Sequence, residues 1–114
     1  MLNREKLTTI FKKCWSIESS TKWEEATPSK GQCSVTALVI HDYFGGTILK
    51  TKVNGAWHFY NRVNDQVLDL TSEQFSSPIY YQDIDSTVDE ALNDCSQEQY
   101  EYLKNQFALH YPRT

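Results

Sequence analysis

The chain has 114 residues, a formal net charge of −4 and 39% hydrophobic residues. That is apolar material for one core, and a single domain over residues 1–114 is expected. The longest unbroken apolar run, Ala37-Leu38-Val39-Ile40, is too short to cross a bilayer, and the charged start Met1-Leu2-Asn3-Arg4-Glu5-Lys6 is no secretory leader, so no membrane partner and a cytoplasmic location are expected.

Charge is uneven along the chain. Residues 1–57 hold eight Lys/Arg against five Asp/Glu, and residues 58–114 hold three against ten. No basic stripe results, which argues against a nucleic-acid partner. Cys14, Cys33 and Cys95 are far apart, odd in number and without a CxxC. A zinc site of ordinary spacing is therefore not expected, nor is a cofactor, and the thiols are read as reduced.

In chain order, residues 2–14 read as an amphipathic helix, with Leu7, Ile10, Phe11 and Cys14 on one stripe. Residues 16–30 lack a steady period and read as an irregular segment pinned by Trp15 and Trp23. From Gly31 to Phe44 the apolar residues form two stripes, Val35/Leu38/Val39 and Ala37/Ile40/Phe44, the pattern of a buried helix, which Gly45-Gly46 stops. The period then changes to two. Thr47–Val53, the turn Asn54-Gly55, and Ala56–Val63 predict a hairpin. Asn64-Asp65 leads into a third strand, Gln66–Leu70. Residues 71–95 are mixed in character, with Pro78 and several acidic residues. Ser96 and Gln99 form a capping box for a last helix to about His110, just before Pro112, with the stripe Tyr100, Leu103, Phe107. The order predicts an α+β fold: a buried helix packed on an antiparallel meander, with flanking helices.

Three residues carry the candidate chemistry. Cys33 follows the polar lead-in Ser29-Lys30-Gly31-Gln32 and falls in the first turn of the buried helix, where unpaired N–H groups and the helix dipole favour an anion. His58 lies in the second strand. Asp69, between Leu68 and Leu70, needs a partner, because a buried carboxylate alone is costly. A two-residue turn at Asn64-Asp65 puts Tyr60 opposite Asp69 and His58 opposite Thr71. Asp69 is then the diagonal neighbour of His58 and can orient its ring. The first hairpin places Thr51 opposite His58 and Leu49 opposite Tyr60. The face with His58 thus also carries Leu49 and Val53, and the buried helix is expected to pack on it. Asn61 falls on the other face. Gln32 is a candidate oxyanion donor or simply satisfies the loop, His41 reads as structural and His110 as exposed.

The run Gly31-Gln32-Cys33, a helix, Trp57-His58, and Val67-Leu68-Asp69-Leu70-Thr71 resembles the transglutaminase-like and papain-like thiol enzymes. There Cys on a helix N-terminus, His on a strand and Asp on the next strand follow in that order. The resemblance implies a minimal cysteine-proteinase-like core with Cys33 as nucleophile, His58 as base then acid, and Asp69 as orienting carboxylate. Trp15-Ser16-Ile17-Glu18-Ser19-Ser20, Trp23, Pro28 to Ala37, Tyr43 to Gly46, Trp57 to Asn61 and Asp69 to Thr71 are similar to the small bacterial YunG-type proteins, over roughly residues 15–75. Three readings stay open. The first is a small intracellular thiol enzyme that hydrolyses or transfers an acyl group of a peptide or small-molecule amide or ester, with Trp57, Trp23 and Gln32 at the substrate. The second is an inactive binding module presenting Trp15, Trp23 and Trp57. The third is a structural protein whose acidic half meets a partner.

Overall fold

In the computed structural model, which describes residues 2–111, the Asn3 side chain accepts from the Lys6 N–H and opens helix α1 (Arg4–Cys14). Met1 and Pro112, named above, lie outside the described residues. Leu7, Ile10, Phe11 and Cys14 are buried, as their spacing predicts. Residues 15–32 are irregular, and the buried Trp15 ties them to the next helix through an indole N–H donated to Thr36 Oγ1 at 2.9 Å. Helix α2 spans Cys33–Phe44, with Ser34 through Ile40 all buried. It starts two residues later than the apolar pattern suggests. Gly31 has φ +74°, outside the helical region, and so belongs to the lead-in turn.

Strands β1 (Thr47–Val53), β2 (Ala56–Val63) and β3 (Gln66–Leu68) form the expected meander, paired Val53 to Ala56 and Val63 to Gln66. All four turn residues, Asn54, Gly55, Asn64 and Asp65, have positive φ, as tight two-residue hairpins require. β3 is two residues shorter than the sequence suggests. Asp69 Oδ1 accepts from the Thr71 N–H at 3.2 Å, and this local bond replaces the ladder. Within the stretch of mixed character, a short 3₁₀ turn at Ser72–Gln74 precedes β4 (Ile84–Asp85) and helix α3 (Val88–Asn93). β4 pairs with the free edge of β1, giving a four-stranded antiparallel sheet in the order β3-β2-β1-β4. Helix α4 (Gln97–His110) opens with the reciprocal Ser96/Gln99 capping box that the sequence predicts. No helix among the described residues is long and apolar enough to cross a membrane.

The helix layer covers one face of the sheet, and it is not the face expected from the sequence. Ala37 and Leu38 of α2 pack with Ile48, Phe59 and Ala91, and the Asn61 amide donates to the Ala37 carbonyl at 3.0 Å. Phe107 of α4 stacks on Phe11 of α1 with ring centres 4.7 Å apart. The opposite face, with Leu49, Thr51, His58 and Tyr60, is covered by the irregular segment 75–83. Phe75 meets the His58 ring edge-on at 4.9 Å and Tyr81 meets Tyr60 at 5.0 Å. Thr51 Oγ1 donates to the Tyr80 carbonyl at 3.1 Å, and the Tyr60 hydroxyl donates to Asp83 at 2.6 Å. The division follows from composition. Ile48, Phe59 and Val63 offer apolar surface to a buried helix. The polar groups of Thr51, His58 and Tyr60 need partners, which irregular backbone supplies and a helix flank does not.

Candidate active site

Cys33 is the first residue of α2, and Gln32 before it makes no side-chain cap bond. The first-turn N–H groups are therefore not closed off by a cap. The Gln32 amide is turned inward instead. It is fully buried, accepting from Ser19 Oγ at 2.7 Å and donating to the Ser16 carbonyl at 3.4 Å. Cys33 itself is half-buried and opens on a cleft of about 430 Å³, which it shares with Gly31, Trp57, His58, Phe75 and Asp94. β3 pairs only with Asn61, Arg62 and Val63. Among the described residues no strand lies beside 56–60 of β2 on that side, and it is from this stretch that Trp57 and His58 reach the cleft.

His58 is 1% exposed, and its Nε2 lies 2.7 Å from Asp69 Oδ2. The register anticipated this pairing, since Asp69 follows the β3 residues that fix the diagonal. Its Nδ1 is buried and has no hydrogen-bond partner among the described residues. Burial disfavours the imidazolium, but the hydrogen bond and charge of Asp69, together with the nearby Cys33 sulfur, outweigh it and raise the His58 pKa to about 9. The upward shift favours the form in which both ring nitrogens carry protons. The Cys33 sulfur acts on the ring from the cleft that the two residues share. Burial pushes the other two thiols, Cys14 and Cys95, up to about 11.

Asp69 is held from several sides. The Tyr81 hydroxyl donates to Oδ2 at 2.6 Å, the Thr71 N–H and hydroxyl reach Oδ1 at 3.2 and 3.3 Å, and Arg4 donates to its backbone carbonyl at 2.9 Å. Burial by itself would raise the carboxyl pKa, but His58, Tyr81 and Thr71 outweigh it and hold it below the ordinary value. Tyr81 was not legible in the sequence, because segment 71–95 has no period that would assign it to a face. Tyr81→Phe removes one donor to the carboxylate, so the Asp69 pKa is expected to rise while the His58 pKa stays at or above about 9. Carboxyl and imidazole NMR titrations check this, and a fall in the His58 value would show that Tyr81 orders the pair in some other way.

The other sequence candidates divide. Trp57, 40% exposed, lines the cleft, with the Lys50 ammonium 4.5 Å from its ring centre. Trp23 packs, partly buried, against the helical core, and neither it nor Gln32 lines the cleft. Asn61 faces α2, away from His58. Asp94 and Cys95 line the cleft and carried no sequence signal, lying just before the α4 capping box. No group of three His, Cys, Asp or Glu side chains among the described residues is placed to hold a metal ion.

Fold and site together define a small α+β protein with a buried His–Asp pair, in which the histidine shares a cleft with a cysteine at a helix N-terminus. A family model described as YunG protein matches residues 3–111. The chain is 55% identical over 106 residues to the uncharacterized protein YunG of Bacillus subtilis (strain 168), a match covering 93% of this chain and 92% of that protein. The chain belongs to the YunG family. No solved structure matches it.

Proposed function

We propose that the protein is a thiol enzyme acting on an acyl or amide bond of a peptide or small molecule, built on a minimal cysteine-proteinase-like core of the transglutaminase or papain kind. The observation that carries the reading is the unpartnered Nδ1 of a charged, buried His58 beside a half-exposed Cys33 at an uncapped helix start. In this scheme the Cys33 thiolate attacks the carbonyl carbon. The developing oxyanion is met by first-turn N–H groups of α2. His58 passes its Nδ1 proton to the departing amine or alcohol, leaving a thioester on Cys33. Water or an amine, deprotonated by His58, then attacks the thioester and releases the thiolate. Asp69 keeps the ring oriented and balances its charge throughout.

Iodoacetamide labelling with mass-spectrometric mapping tests the reading. At pH 7 a thiol of pKa about 11 is ionised in roughly one molecule in ten thousand. Cys33 is therefore expected to alkylate at least about tenfold faster than Cys14 or Cys95, and His58→Ala to remove most of that advantage. Incubation with a p-nitrophenyl ester is expected to leave an acyl adduct on Cys33. Equal labelling of all three thiols, or no adduct, would leave a cleft without this chemistry.

A further inference from the structure

Cys33 does not face the cleft as the only thiol. Cys95 sits in the turn between α3 and α4 and lines the same cavity. Both cysteines pack, partly buried, against the cluster formed by Ala37, Leu38, Ile48, Phe59 and Ala91. Cys33 lies close enough for its charge to act on the Cys95 thiol, and Ser34, next to Cys33 in the chain, interacts with Cys95. Cys95 belongs to a short connection rather than to a helix body, and its sulfur lies 3.6 and 3.8 Å from the Ala91 and Leu92 carbonyls. Cys14 is different. It is 1% exposed in the α1 core, and its sulfur is 3.2 Å from the Ile10 carbonyl.

We propose that Cys95 is a resolving thiol for Cys33, so that a hydroperoxide converts the pair into a reversible intramolecular disulfide that closes the cleft's nucleophile. In the first step the Cys33 thiolate attacks the distal peroxide oxygen. An S–O bond forms, the O–O bond breaks, and the sulfur is oxidised to sulfenic acid while the peroxide is reduced to water or an alcohol after taking a proton. In the second, the Cys95 thiolate attacks the Cys33 sulfur. The S–S bond forms, the S–O bond breaks, and hydroxide leaves with the proton lost from Cys95, as water. Overall, two thiols and one peroxide give one disulfide, water and the reduced peroxide. The high pKa of the Cys95 thiol makes this second step faster as pH rises. The role for Cys95 protects a reactive Cys33 from irreversible oxidation. It rests on the proposed reading only in needing a nucleophilic Cys33, and needs no acyl chemistry.

The test treats the full chain with hydrogen peroxide and maps the products without reduction. A peptide joining Cys33 to Cys95 is expected, with an intact monomer mass lowered by two hydrogens, loss of Cys33 alkylation, and full recovery after dithiothreitol. In Cys95→Ser, Cys33 is expected to proceed to sulfinic and sulfonic acid. In Cys33→Ser, Cys95 is expected to stay unmodified. Disulfide formation needs the two Cα atoms within roughly 7 Å, so the cross-link is also a direct measure of their proximity. Only intermolecular or Cys14-containing disulfides, or a Cys33 oxidised to the same products at the same rate with and without Cys95, would overturn the proposal. If the cross-link forms while no ester adduct does, the thiol-enzyme reading fails and this one stands.

Discussion

Replacing Asp69 with asparagine is expected to bring the His58 pKa down from about 9 to its ordinary 6.5 or lower. Asparagine keeps the size and one acceptor for Nε2, so the fold is retained. The negative charge is lost, and the burial that Asp69 and the Cys33 sulfur together outweigh becomes the dominant influence. The same charge sets how stability varies with pH. His58 has a raised folded-state pKa, so its contribution is complete below 6.5 and is lost as pH rises through about 9. Asp69 has a lowered one, so its contribution is present above 3.8 and is lost as pH falls through the depressed value. The native protein is therefore expected to be most stable between these two windows, in mildly acidic solution. In Asp69→Asn, the decline between pH 6.5 and 9 should flatten. Cys33 alkylation at neutral pH should fall about tenfold or more, since the thiolate loses a charged neighbour. Imidazole NMR titration, melting curves across pH, and alkylation rates read the three effects separately. A His58 that still titrates near 9 in the variant would remove Asp69 from its charge balance.

The His58–Asp69 pair was readable from sequence because strand registers obey integer arithmetic. Asn54-Gly55 and Asn64-Asp65 each fix a two-residue turn, and every pairing from Thr47 to Leu68 then follows. Placing Cys33 at a helix start needed only the polar lead-in and the apolar stripes after it. Which side of the sheet that helix would choose was a different matter. Parity says that His58, Tyr60 and Leu49 share a face, but not what covers it. Leu49 and Val53 suggested a helix, whereas the cover is the segment from Phe75 to Asp83. That segment makes its contacts through single side chains and carbonyls, without a repeat. Tyr81, Asp94 and Cys95 were illegible for the same reason, because their positions depend on tertiary packing that no local pattern encodes. Gln32 shows the converse limit. Its adjacency to Cys33 suggested an oxyanion donor, and the chain turned its amide toward Ser19 instead.

Gly45 and Gly46 read identically in the sequence, as a helix stop, but the structure gives them different work, and their alanine variants are expected to differ sharply. Gly45 caps α2 with φ +74° and ψ −145°, its N–H bonded to the His41 carbonyl. A Cβ there meets nothing within 4 Å, so Gly45→Ala costs only the backbone strain, about 1–3 kcal/mol. Gly46 also has positive φ, +78°, but an added Cβ would lie 2.1 Å from the Arg62 carbonyl oxygen and 3.1 Å from the Val63 Cα. Those are backbone atoms of β2 in the ladder that begins at Thr47 and Arg62, and they cannot rotate away as a side chain would. Relief requires β1 and β2 to move apart at the end where Val63 joins the core beneath α2. Strain and overpacking together put Gly46→Ala at roughly 2–6 kcal/mol, a large share of the 5–15 kcal/mol typical of a domain. Urea titrations of both variants measure the contrast. Equal midpoints would mean that the sheet end yields without cost, and that the second glycine is needed only for its backbone angle.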